Sequence, residues 1–151
     1  MGPERKLYKK IKSKLTQFSW IRLENNSLLG TPDLLGYNNS GHFFTVELKV
    51  TSGNKIRFSP HQIAFHVKHP HNTFIMVEAL GPGTVKLFRG SRIMELEACG
   101  LQLEACCSGL EACGLLLRRF SEEPSELEAC GLWLDARTRG SWNVKLVART
   151  R

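Results

Sequence analysis

The residues best suited to chemistry are Pro32-Asp33 and, fourteen positions beyond the aspartate, Glu47-Leu48-Lys49. On a strand, residues i and i+2 face the same way, so Glu47 and Lys49 project together, and a hairpin brings Asp33 beside them. Two carboxylates with the backbone carbonyl of Leu48 offer the hard oxygen ligands that Mg²⁺ or Mn²⁺ prefers, the remaining positions going to water and a substrate phosphate. A cation held this way polarises a phosphoryl oxygen and lowers the pKa of bound water, while the Lys49 ammonium orients that water and offsets charge in the transition state. The plainer reading makes Asp33 a turn residue and Glu47 and Lys49 a solvated strand face. Against it, Phe43, Phe44, Val46, Leu48 and Val50 surround the pair and mark a central strand, where charges need a reason.

The elements that must position these groups are legible from pattern. Leu7, Ile11, Leu15 and Phe18 recur at helical spacing over residues 3–18, with Arg5, Lys6, Lys9, Lys10, Lys12 and Lys14 on the other faces, predicting an amphipathic first helix. Short strands are expected over 20–23, 32–37 and 42–50, the last two joined by the turn-forming Asn38-Asn39-Ser40-Gly41. Residues 51–58 read as a polar loop, and Ser59-Pro60 as an N-cap with proline at the first helical position, opening a second helix over 60–69. The continuous apolar run 72–80 suggests a buried strand and 85–88 a further short one. The expected order is therefore α-β-β-β-α-β-β.

Charge is unevenly spread. Of 21 basic and 14 acidic residues in the 151-residue chain, 14 and 6 lie in residues 1–95 (net +8) and 7 and 8 in residues 96–151 (net −1). A basic front half suits an anionic partner such as DNA, with Lys6, Lys9, Lys10, Lys55, Arg57 and His61 as candidate phosphate or groove contacts. There is no apolar run of about 18 residues, and Met1-Gly-Pro-Glu-Arg-Lys lacks the apolar centre of a signal peptide, so the expectation is an intracellular, cytoplasmic protein without a membrane partner. The five cysteines, with no Cys-x-x-Cys spacing, argue against a disulfide framework. Zinc on His61, His66, His69 and His71 is disfavoured because no cysteine lies near and oxygen ligands dominate the site.

Beyond residue 95 the chain repeats Leu-Glu-Ala-Cys at 96, 103, 110 and, out of step, 127. The seven-residue period places Leu96, Leu103, Leu110 and Leu117 on one stripe, predicting a heptad helix over 96–120 that packs on the core or makes a homodimer. Residues 121–151 then form a tail opened by Pro124.

Taken together, Gly30-Thr31-Pro32-Asp33, Glu47-Leu48-Lys49 and Ser59-Pro60-His61-Gln62 resemble the signature of the PD-(D/E)xK nuclease superfamily, and most closely its VRR-NUC and Holliday-junction-resolvase-like branch. The resemblance, which spans about residues 3–80, implies a restriction-endonuclease-like α/β core, αβββαβ with a mixed central sheet flanked by helices, within a nuclease domain expected over residues 1–95. It implies a Mg²⁺- or Mn²⁺-dependent endodeoxyribonuclease leaving 5′-phosphate ends, in which Asp33 and Glu47 hold metal, Lys49 is catalytic, Gln62 supports the site and Glu4 completes the acidic set. Small nucleases of this likeness are often encoded by phages or mobile elements, which would place the protein in a host cytoplasm. A junction- or flap-specific nuclease and a catalytically silent DNA-binding adaptor are the alternatives.

Overall fold

The computed structural model describes residues 2–24 and 27–122, with the side chains of 119–122 left aside. The chain runs α1 (Pro3–Lys14), β1 (Ser19–Arg22), β2 (Leu34–Tyr37), β3 (Phe43–Thr51), α2 (Pro60–Lys68), β4 (Thr73–Ala79), β5 (Thr84–Arg89), α3 (Ile93–Cys99), β6 (Cys107–Ser108) and α4 (Leu110–Glu122), with single 3₁₀ turns on either side of α3. Six strands form one mixed sheet in the order β1-β2-β3-β4-β5-β6. Neighbours are antiparallel except β3 and β4, which run parallel and are joined through α2. A parallel pair cannot be linked by a tight turn, so the helical crossover is what the topology demands.

Period-two alternation divides the sheet between two apolar layers. Phe44, Val46 and Leu48 of β3, with Phe74 and Met76 of β4, pack against Leu7, Ile11 and Leu15 of α1 and Cys113 and Leu117 of α4. The intervening residues Ile75 and Val77 of β4 and Phe88 of β5 face the other way, toward Ile63 of α2, Ile93 and Leu96 of α3, and Ile56 and Phe58. Glu47 and Lys49 lie on this second face, one residue out of step with the first layer. The connector 51–58, expected to be a polar loop, is thus anchored by Ile56 and Phe58, both buried.

The C-terminal repeats depart most from expectation. No continuous helix spans 96–120: α3 stops at Gly100, the chain turns, and Cys107–Ser108 adds a strand to the edge of β5 before α4 begins at Leu110. The sheet therefore continues past residue 95 rather than ending there. Two glycines make the breaks. Gly100 takes φ 60° with the carbonyl oxygen of Asn54 2.1 Å from where a Cβ would stand, and Gly109 takes φ 96°, values that favour a residue without a side chain. The heptad leucines consequently part company. Leu96 is buried beneath the α2–α3 layer and Leu117 beneath the α1–α4 layer, so the two ends of the stripe pack into different layers of the same subunit. The copy at 127–132, Pro124 and the tail beyond residue 122 fall outside the described residues.

Candidate active site

Asp33 immediately precedes β2, and Leu34 pairs with Val46, so the register carries the aspartate to the level of Glu47. Its carboxylate accepts the backbone N–H of Leu48 (Oδ2, 2.8 Å), and its own carbonyl accepts the N–H of Leu23 (2.8 Å), closing the β1–β2 connection. Leu48 therefore meets the aspartate through its amide.

Glu47 is 1% exposed on β3. Its Oε1 receives the side-chain amide of Gln62 and lies 3.2 Å from Lys49 Nζ, whereas Oε2 is buried without a hydrogen-bond partner among the described residues. Gln62 is held by a capping box: Ser59 Oγ accepts the Gln62 N–H (3.2 Å), and the Ser59 N–H donates to Gln62 Oε1 (3.0 Å). With its oxygen committed to the helix cap, the amide must turn its NH₂ toward Glu47. Lys49 Nζ sits 5.6 Å from the centre of the Phe58 ring, a cation–π placement that fixes the ammonium at the edge of the site.

Electrostatics tie these groups together. Burial, then the charge of Asp33 and more weakly that of Glu4, raises Glu47 from its ordinary 4.5 to about 8, with Lys49 opposing. Burial also raises Asp33, against the pull of the Leu48 N–H, Lys49 and Arg22, and raises Glu4, against Lys49. Carboxylates that share a desolvated site resist ionising together, and a divalent cation is the group that reverses this. The buried, unpartnered Glu47 Oε2 and the all-oxygen donor set of Asp33 and Glu47 fit Mg²⁺ or Mn²⁺. Glu4, at the start of α1, adds its charge to this group; among the described residues no group of three or more His, Cys, Asp or Glu side chains is placed to hold a metal ion.

The remaining expected residues are scattered. Lys6, Lys9, Lys55, Arg57 and His61 are exposed, but Lys10 forms an ion pair with the buried Glu78 of β4, tying α1 to the sheet. His66 is fully buried, whereas His61, His69 and His71 lie at the surface. The sequence reading includes neither Arg22 nor Phe58, and takes Gly30 only as part of the Gly30–Asp33 motif. Arg22 lies over the Tyr8 ring (5.8 Å) and its charge reaches Asp33. Phe58 seats Lys49. Gly30, at φ 86°, stands so close to the start of α2 that a Cβ would lie 2.3 Å from the His61 carbonyl oxygen, which locks the Gly30–Asp33 segment onto the helix that carries Gln62. A glycine two residues before Pro-Asp was the available signal for this last contact.

The chain matches no protein-family model and no curated protein.

Proposed function

We propose that this protein is a metal-dependent endonuclease that hydrolyses DNA phosphodiester bonds. The observation that carries this reading is the convergence of Asp33, Glu47 and Lys49 from two paired strands, with Gln62 fixing one oxygen of Glu47 and the other buried without a partner. Asp33 and Glu47 would hold Mg²⁺ or Mn²⁺. When bound, the ion supplies Lewis-acid polarisation of the phosphoryl group and a more acidic water. The chain's own residues do the rest. Gln62 fixes the rotamer of Glu47, the Leu48 N–H fixes that of Asp33, and the Lys49 ammonium, 3.2 Å from Glu47, orients water and balances charge as phosphorus becomes five-coordinate. Water adds to phosphorus and the bond to O3′ breaks, leaving a 5′-phosphate and a 3′-hydroxyl that takes up the proton.

The basic surface of α1 and the excess of positive charge in residues 1–95 suit a phosphate backbone as partner, a binding mode that weakens with salt. The reading is tested with end-labelled duplex DNA, branched DNA and RNA, incubated with Mg²⁺ or with chelator. DNA cleavage that needs the metal and leaves 5′-phosphate supports it. Cleavage that persists in chelator, or RNA as the sole substrate cut, overturns it.

A further inference from the structure

We infer that Cys107 and Cys113 form a site of reversible oxidation, a dithiol whose closure to a disulfide fastens the edge strand β6 to the first turn of α4. The two sulfurs are 3.0 Å apart and enclosed, Cys107 being 8% and Cys113 0% exposed. A disulfide holds its sulfurs about 2 Å apart, so an approach of about 1 Å joins them. Cys107 stands where the Leu-Glu-Ala-Cys copies from Leu96 and Leu110 carry Gly100 and Gly114. The pair lies in the α1–α4 layer, on the face of the sheet opposite Glu47 and Lys49.

A strand, a glycine and a helix bring the thiols together. Cys107 pairs with Leu87 of β5, and the strand is fixed on both sides of it: the Cys106 N–H donates to the Leu87 carbonyl (2.8 Å) and the Gly109 N–H to the Val85 carbonyl (2.7 Å). Gly109, at φ 96°, turns the chain, and the Cys113 N–H donates back to its carbonyl (3.0 Å) as α4 begins. Strand alternation turns Cys106 to the other face, and Cys99 is exposed at the end of α3. Gly114 packs so closely on α1 that a Cβ would stand 2.6 Å from Leu15 Cδ2. A bond at Cys113 therefore secures the turn of α4 that touches α1.

The hydrogen bond with Cys113, and then burial, hold the Cys107 thiol above the ordinary thiol range. A protonated, enclosed thiol is a poor nucleophile, so reaction passes through opening of β6, an edge strand of two residues. The oxidant is a low-molecular-weight disulfide such as oxidised glutathione. The freed Cys107 thiolate attacks one of its sulfurs and expels a glutathione thiolate. The Cys113 thiolate then attacks the Cys107 sulfur of this mixed disulfide and expels the second. The protein gives up two electrons and two protons, and the oxidant leaves as two molecules of glutathione. One such pair differs from a disulfide framework, because in a reducing compartment it stays a dithiol until an oxidant closes it.

The test treats the full-length parent chain with oxidised glutathione, with and without sub-denaturing urea, and maps its bonds by mass spectrometry of unreduced peptides. Cys107 and Cys113 should be linked, and linkage should run about tenfold faster in urea. The oxidised chain should melt about 5 °C higher than the reduced one, the gain should vanish on adding dithiothreitol, and Cys113→Ala should show no gain. Cys107→Ala is the second control, should Cys113→Ala fail to fold. Persistence of both thiols would leave the pair as packing alone and overturn the inference. Linkage of either residue to another cysteine, or a linked pair with an unchanged melting temperature, would overturn it equally. No readout involves DNA, so failure here leaves the nuclease reading untouched.

Discussion

Gln62 spends both halves of its side-chain amide on different tasks, its oxygen accepting the Ser59 N–H at the start of α2 and its NH₂ donating to Glu47 on β3. One residue thus couples a helix cap to a candidate metal ligand, and replacing it separates the two. Gln62→Glu keeps the cap geometry but sets a carboxylate against Glu47. Gln62→Ala loses both contacts and should cost about 1 kcal/mol in urea unfolding. Cleavage should fall further in the glutamate variant than in the alanine variant; equal activity in both would show that the Glu47 contact is idle.

Gly30→Ala should destabilise the protein by about 1–3 kcal/mol, because φ 86° is unfavourable for alanine and its methyl group would meet the His61 carbonyl. Thermal denaturation measures the loss. Cleavage should fall too, since the Gly30–Asp33 segment is what places Asp33. An unchanged melting temperature would mean that the close approach relaxes freely.

His66 is buried with neither ring nitrogen hydrogen-bonded among the described residues, and burial lowers it from its ordinary 6.5 to about 4. Its folded pKa lies below its unfolded one. The unfolded chain therefore binds the extra proton first, and the stability due to neutral His66 is complete above about pH 6.5 and lost as pH falls toward 4. His66→Leu, close in size and uncharged, should flatten the stability profile between pH 6.5 and 4 relative to the parent. Parallel profiles would assign the acid sensitivity elsewhere.

Leu117→Ala, in the fully buried α1–α4 layer, should cost about 2–5 kcal/mol by denaturant unfolding if residues 96–122 belong to the domain. A loss below 1 kcal/mol would contradict the packing of this segment into the domain.

The elements around the site were legible because their signals are local. Ser59-Pro60 with glutamine three residues on is a helix start written in four residues, and Asn38-Asn39-Ser40-Gly41 a turn; both appear where expected. Asp33 and Glu47 come together because β2 and β3 pair in the register that the intervening turn sets, and Gln62 joins them through the capping box that opens α2. What sequence could not convey depends on contacts distant along the chain. The heptad spacing of Leu96, Leu103, Leu110 and Leu117 is real, but Gly100 and Gly109 at positive φ, and the open edge of β5 that takes up Cys107–Ser108, override it. The same Leu-Glu-Ala-Cys string is helical from Leu96 and from Leu110 yet non-helical from Leu103, so tertiary partners select its conformation. Lys10 reads from sequence as one more candidate phosphate contact, and its buried partner Glu78 lies 68 residues away.

The most direct measurement is the single-turnover rate of DNA cleavage in Mg²⁺ by the parent, Asp33→Ala and Lys49→Ala, each checked for folding by circular dichroism. The account predicts metal-dependent cutting by the parent and a loss of about 100-fold or more in each variant, the scale expected when a catalytic electrostatic partner is removed. Equal rates in all three, or no cutting by the folded parent on any DNA, would contradict it.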